Sequence, residues 1–309
     1  MKKEPLISVI MPTYNGSKSI KRAIHSFLNQ TYKNTELMVI DDCSTDNTVD
    51  VVNSIKDSRI KLIRHSKNKN CAAARNSGIK VAKGEYIAFL DDDDEWLEEK
   101  LSKQIDYFLA KKSKEWGGVL VSHKILYGGK YRDVVLKKEG DISKEIYLME
   151  LSLAAGSSLM VRRDVFEKIG NFNEKYVRQQ DLDFVLRLLR EYKMGVMRDV
   201  LSVIHGHSGK VSGERLVEIK ERLLSDFKED IESFDKRTVK RTYARQYLQI
   251  SKHFAMDGNI KMTMEYLFKS LSYALLFSNR VKFLILENYL VLPFYLLRGL
   301  IVKERDGGR

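Results

Sequence analysis

Residues Gly84–Leu101 read GEYIAFLDDDDEWLEEKL. The apolar run Tyr86 to Leu90 predicts a buried strand, and it stops in four successive aspartates, Asp91 to Asp94. A helical pattern starts again at about Leu97. Four like charges repel one another, so the run marks either a turn open to water or a site that receives positive charge.

The sequence on either side decides how the strand is used. LISVIMP, ELMVIDD, RIKLIRH and EYIAFLD are short apolar runs, separated by the helical patterns SKSIKRAIHSFLNQT, STDNTVDVVNSIK and CAAARNSGIKVAK. Ser17 is the expected cap of the first of these helices. Near-continuous apolar strands alternating with helices predict a mostly parallel sheet with helices on both faces. Ligands of such sheets bind beyond the carboxyl ends of the strands. The first strand there runs into PTYNG, the second into Asp41 and Asp42, and the fourth into Asp91–Asp94. Carboxylates gathered at one rim call for a counter-ion, and a hard divalent cation with phosphate oxygens supplies it economically. Turn formation and helix capping are the alternative roles for Asp41, Asp46 and Asp94.

The chain has 309 residues, 43% of them hydrophobic and 31% charged, which predicts a folded protein of one large or two modest domains. Its two cysteines, Cys43 and Cys71, have no metal-ligand spacing and fit a reducing compartment. MKKEPLISVIMPTYN lacks the long apolar core and cleavage site of a signal peptide, so a cytoplasmic location is expected. The formal charge of +12 is spread along the chain without an arginine-rich arm or a zinc-finger spacing, and a nucleic-acid partner is not expected.

The middle of the chain changes style. GGVLVSHKILYGGKYRDVVL predicts a strand, a turn at Gly128–Gly129 and a second strand, and SSLMVRRDVFEKIGNF a short strand and helix. QQDLDFVLRLLREY predicts a helix with Asp181 in its first turn, and MGVMRDVLSVIHGHSG a strand ending at His205 and His207. From about Val211 amphipathic helices follow to the end, with Gly258 as a C-cap. The segment 280–305 is apolar nearly all round but carries Glu287, Asn288, Pro293 and Arg298. Two readings stay open for it: peripheral contact with an anionic membrane surface, and burial against protein, including a homodimer partner.

ISVIMPTYNG, QTYKNTELMVIDDCSTDNT, AAARNSGIKVAKGEYIAFLDDDDEW, GSSLMVRRDVFEKIGNFNE and QDLDFVLRL, in this order, resemble the family 2 glycosyltransferases over about the first 210 residues. The resemblance implies an α/β GT-A (nucleotide-diphospho-sugar transferase) fold with a C-terminal α-helical extension. The implied organisation is a catalytic domain over 1–212, its nucleotide-sugar-binding half 1–112 and acceptor-binding half 113–212, then helices over 213–309. The implied activity is inverting, metal-dependent sugar transfer from a nucleotide sugar, UDP-linked by preference, to a glycan or polyprenyl-linked acceptor at the cytoplasmic face of the membrane.

Site residues follow from the same resemblance. Pro12, Thr13 and Tyr14 match the first-strand loop, with Tyr14 against the nucleobase. Asp42 matches the acceptor of a uracil-type ring N–H, and Arg75 the arginine facing the nucleotide. Asp91, Asp92 and Asp93 match the family's DXD element: Asp91 and Asp92 on the nucleotide sugar, Asp93 on a Mg²⁺ or Mn²⁺ ion. Asp181 matches the catalytic base, and His207 a late polar position near the diphosphate or metal. Trp96 is expected in the core. The chain departs from the pattern at Gln180, where an acid is frequent, at Asn70, where glycine is frequent, and at Glu98, where proline is common. A Gly-rich loop of the sugar nucleotidyltransferase kind and a G-x-G-x-x-G after the first strand are both missing from PTYNGSKS. A non-catalytic nucleotide-sugar-binding or assembly protein on the same fold is the remaining alternative.

Overall fold

The structure is a computed structural model, and it describes residues 4–111, 113–206 and 211–274. His207 and the segment 280–305 lie outside the described residues. The chain divides into two compact units: Met1–Ser143 with Leu151–His207, and Lys144–Glu150 with Ser208–Arg309.

The first unit begins with strands and helices in alternation: β1 (Ile7–Thr13), α1 (Ile20–Leu28), β2 (Thr35–Asp41), α2 (Thr48–Ser54), β3 (Ile60–Arg64), α3 (Cys71–Val81) and β4 (Tyr86–Phe89). After the aspartates come β5 (Glu95–Trp96), α4 (Lys100–Lys111), β6 (Trp116–Tyr127) and β7 (Lys130–Val134). The short helix α5 (Ser143–Tyr147) is followed by α6 (Ala155–Ser158), β8 (Leu159–Arg162), α7 (Val165–Ile169), α8 (Gln180–Glu191) and β9 (Lys193–His205).

These strands form one sheet in the order β3-β2-β1-β4-β8-β6-β9-β5, with β7 paired to β6. The pairs β1–β2, β1–β4 and β2–β3 are parallel, as the alternating first half predicts. The sheet as a whole is mixed rather than mostly parallel, because β8 enters antiparallel between β4 and β6, and β5 and β7 are antiparallel to their neighbours. The hairpin turn sits at Gly128 and Gly129, both at positive φ.

Helices cover both faces. Side chains alternate along a strand, so Val9 and Met11 join Ile24, Phe27, Ile105 and Phe108 of α1 and α4 on one face. On the other face Gly78 of α3 comes down on Ile10 and Ile40, where any Cβ would collide with the Ile10 side chain. The register pairs Thr13 with Asp41 and Ile10 with Phe89, so β1, β2 and β4 end at one rim. Helix α1 starts later than its pattern suggests: Ser19 rather than Ser17 stands at its N-cap, and its side chain makes no capping bond.

The second unit is helical: α5, α9 (Gly213–Asp226), α10 (Lys228–Glu232), α11 (Lys236–Met256) and α12 (Ile260–Ala274). Ser212 caps α9 and Asp235 caps α11 through side-chain oxygens. Leu216, Ile250, Phe254 and Tyr266 form its core. Among the described residues no helix is long and apolar enough to cross a membrane.

Candidate active site

The rim of β1, β2 and β4 carries most of the expected residues. Thr13 closes β1 and its hydroxyl donates to the Asp92 carboxylate. Gly16 lies against that carboxylate, so a side chain there would displace it. Tyr14, next in the loop, is 51% exposed and ready to stack on a flat partner. Pro12 is buried within β1 opposite Ile40.

Asp41 and Asp42 divide the work at the end of β2. Asp41 accepts the Ser44 amide at 3.2 Å and pairs with Arg64 at 3.1 Å, which shapes the turn. Asp42 is 3% exposed and engaged on both oxygens. It meets His65 Nδ1 at 2.7 Å and accepts the backbone N–H groups of Lys69 at 2.9 Å and Asn70 at 2.8 Å. His65 Nε2 in turn meets Ser77 Oγ at 2.8 Å. Asp42 therefore holds the loop leading into α3 as well as facing the rim. Asn70 there adopts φ 100° and ψ 166°, and its side chain caps α3 through the Ala73 amide.

Arg75, one turn into α3, is 3% exposed, and its guanidinium donates to Asp91 Oδ1 at 2.6 Å. The ring of Phe172 lies 5.4 Å from it. Burial opposes its charge, but Cys71, Asp91 and Asp181 together push its pKa above the ordinary arginine value. Asp181, on the first turn of α8, thus shares one electrostatic neighbourhood with Arg75, Asp91 and Cys71. Gly156 of α6 is pressed against Asp91 and Arg75, leaving no room for a side chain.

The remaining aspartates differ in use. Asp94 is 5% exposed, accepting Ser157 Oγ at 2.6 Å and the His205 amide at 2.9 Å, so it ties β9 and α6 to the rim. Ser157 also receives the Asp91 amide, and its carbonyl accepts Trp96 Nε1 at 2.6 Å. Trp96 is 4% exposed, a core residue as expected. Arg22 donates to the Asp93 carbonyl and pairs with Glu95 at 3.3 Å.

Crowding is visible in the proton affinities. Burial raises the Asp91 pKa, Arg75 opposes the rise, and Asp93 and Asp181 add to it. Asp92 is pushed up to about 7, by burial against the Thr13 bond and then by Asp93 and Asp91. Asp94 is raised well above the carboxylate range by burial, Asp91 and Asp93. Asp91, Asp92 and Asp94 therefore hold a proton more tightly than an isolated aspartate, and added positive charge would oppose that. Among the described residues no group of three or more His, Cys, Asp or Glu side chains is arranged to hold a metal. The donor set nevertheless suits a Mg²⁺-type ion, which takes one or two carboxylates plus substrate phosphates rather than an all-protein cage.

His65, Ser77, Ser157 and Gly156 are site residues that the sequence patterns did not single out. His65 directly follows β3 at the same rim as Asp42, so the strand-end rule could have found it; Ser157 and Gly156 lie in GSSLMVRRDVFEKIGNFNE, a stretch quoted for the resemblance without a role for either residue.

Comparisons with known proteins agree with this geometry. The family described as Glycosyl transferase family 2 matches residues 8–170. A UDP-Glc:alpha-D-GlcNAc-diphosphoundecaprenol beta-1,3-glucosyltransferase, WfaP of Escherichia coli, is 33% identical over 69% of this chain and 82% of its own length. A putative colanic acid biosynthesis glycosyl transferase of E. coli K12, WcaA, is 35% identical over 67% of this chain and 75% of its own. Residues 1–349 of S. aureus TarS, solved in complex with UDP-GlcNAc, superpose with TM-score 0.66 at 20% identity, over 97% of this chain and 92% of that one. The mannosyltransferase PcManGT from Pyrobaculum calidifontis, solved with GDP-Man and Mn²⁺, superposes with TM-score 0.60 at 17% identity, over 100% of this chain and 89% of that one. The strand-end rim, the ordered motifs it carries and the two kinds of likeness converge: this chain belongs to glycosyltransferase family 2 and is a glycosyltransferase of the GT-A fold.

Proposed function

We propose that the protein transfers a sugar, with inversion, from a UDP-linked donor to a lipid-linked glycan. The observation that carries this reading is the single neighbourhood formed by Asp91, Arg75 and Asp181, a donor-side pair beside a carboxylate able to act as base. Relatives named for transfer to diphosphoundecaprenol-linked GlcNAc support the donor and acceptor class.

In the proposed reaction Asp181 removes the acceptor hydroxyl's proton as that oxygen attacks the anomeric carbon from the side opposite the diphosphate. The bond from the carbon to the acceptor oxygen forms while its bond to the phosphate oxygen breaks. Tyr14 stacks on the base and Asp42 reads its ring N–H, which requires the loop amides of Lys69 and Asn70 to share that carboxylate. Thr13, Asp92 and Asp91 orient the ribose and phosphates, and Arg75 keeps Asp91 in place. Asp93 would hold a Mg²⁺ or Mn²⁺ ion, assisted by His207. When bound, that ion neutralises the departing diphosphate. The donor half is assigned to 1–112, the acceptor half to 113–212 and peripheral contact with the cytoplasmic membrane face to the helical region 213–309.

The test is nucleotide release from a panel of UDP-, GDP- and dTDP-sugars, with and without Mn²⁺. A UDP-sugar is expected to be the best donor, and Asp93→Ala is expected to abolish the metal-dependent part. A GDP- or dTDP-sugar as best donor, or equal rates without metal in the wild type, would overturn the corresponding part of this assignment.

A further inference from the structure

Helix α3 presents two faces. Arg75 and Gly78 lie on the one against the sheet and the rim, where Arg75 reaches Asp91 and Gly78 meets Ile10. Ala73, Asn76, Ser77 and Lys80 repeat at i, i+3, i+4 and i+7, so they share the opposite face. That face is one wall of an open groove of about 550 Å³. The other wall is Arg163, the first residue after β8, with Phe166 and Glu167 of α7 and the loop that carries Asn171 and Glu174. The walls are tied together without a ligand. Asn76 accepts the Phe172 amide at 2.9 Å and donates to the Phe172 carbonyl at 3.0 Å and to Glu174 Oε1 at 2.9 Å. The Arg163 amide donates to the Glu85 carbonyl at 2.9 Å, which fixes the far end beside β4.

Three cations line this groove: Lys69, just ahead of α3, Lys80 in its last turn, and Arg163. All three are exposed, and their side chains make no hydrogen bond or ion pair with any other described residue. Like charges gathered on one concavity repel one another and draw anions to it. Of the two acids in the lining, Glu174 is engaged by Asn76, which leaves Glu167 against three cations. We propose that the groove binds a phosphate monoester at a site separate from the catalytic rim. Such a group offers three acceptor oxygens, enough for both ammonium groups and the guanidinium, whereas a carboxylate offers two. The volume lies within the span of about 300–1,000 Å³ usual for small-molecule sites. A soluble phosphate ester and the headgroup of phosphatidic acid present the same chemistry.

Calorimetric titration with glycerol 3-phosphate at low ionic strength, and cosedimentation with phosphatidylcholine vesicles carrying phosphatidic acid, read these two sources. In Lys80→Ala/Arg163→Ala the affinity is expected to fall at least about tenfold, two charge-assisted bonds being lost. Lys130→Ala/Arg132→Ala removes the same two charges from exposed positions on β7 and is expected to bind as wild type. A loss seen with glycerol 3-phosphate assigns a soluble ligand, and a loss confined to the vesicles assigns the lipid headgroup. An equal loss in the two double variants is general charge attraction and overturns the proposal. So does an affinity that Lys80→Ala/Arg163→Ala keeps, or a wild type that binds neither probe. Glu167→Gln removes the opposing carboxylate and is expected to tighten binding about threefold. Should Lys80→Ala/Arg163→Ala melt well below wild type, Glu167→Gln decides, and unchanged affinity there overturns the proposal.

Discussion

Arg75 Nη2 and Asp91 Oδ1 meet at 2.6 Å, with the arginine side chain 4% exposed and the aspartate 34% exposed. The pair joins α3 to the end of β4 and sets the first aspartate of the acidic run. Asp91→Asn leaves a buried guanidinium without its counter-charge, so a loss of about 2 kcal/mol in urea-unfolding stability is expected, below the cost of a fully buried pair because Asp91 is partly open to water. Arg75→Met should lose a similar amount, and the double variant less than the sum of the two. Strict additivity in this cycle would show that the pair is not coupled.

Asp181 carries no hydrogen bond that defines the fold of α8; Gln179 supplies the turn into the helix and Asp183 pairs with Arg187 at 2.7 Å. Asp181→Asn is therefore expected to fold normally. Its nucleotide-sugar affinity should stay within about threefold, while kcat for transfer falls about 10²- to 10⁴-fold, the span of a lost general base. Transfer at the wild-type rate would remove Asp181 from the role of base.

The acidic run and the strand ends were legible because they are local: four carboxylates after a short apolar run mark where that buried run stops. The parallel half of the sheet was legible for the same reason, through the alternation of periods. The antiparallel insertion of β8 was not, since LMVR says nothing about its direction or its neighbours. Local motifs named Asp42, Arg75 and Asp91 but not what holds them. His65 reaches Asp42 across 23 residues and Ser157 reaches Asp94 across 63, while Gly156 lies against Asp91 from a similar distance along the chain, and only folding brings those together.

Asn70 shows a local compromise. At φ 100° and ψ 166° it occupies backbone space that favours glycine, yet its Oδ1 accepts the Ala73 amide at 3.1 Å and its amide donates to the Glu174 carbonyl at 3.0 Å. Strain in this region costs about 1–3 kcal/mol, whereas replacing an asparagine cap by glycine costs only a few tenths. Asn70→Gly should thus raise stability by about 1 kcal/mol, and Asn70→Ala, which keeps the strain and loses the cap, should lower it by at least about 1 kcal/mol. Thermal melts of both variants check this: a destabilised glycine variant would mean that the bond to Glu174 outweighs the strain.

His123 on β6 gives the clearest pH dependence. It is fully buried, opposite Ser202 of β9 and Val134 of β7, and neither ring nitrogen has a partner. Burial lowers its pKa from 6.5 to about 4. The unfolded chain takes a proton near 6.5 while the folded chain refuses it until about 4, so more protons are bound unfolded within that window. This stabilising contribution is whole above pH 6.5 and is lost as pH falls towards 4. At most about 3 kcal/mol is lost in this way. The raised carboxyls Asp91, Asp92 and Asp94 act in the opposite sense, holding protons longer folded than unfolded, so total stability does not isolate the histidine. The difference between wild type and His123→Leu does. Urea unfolding at pH 7.5 and at pH 5 should show the leucine variant gaining on wild type by about 2 kcal/mol as pH falls, and a difference that stays constant across this range would place the titration of His123 elsewhere.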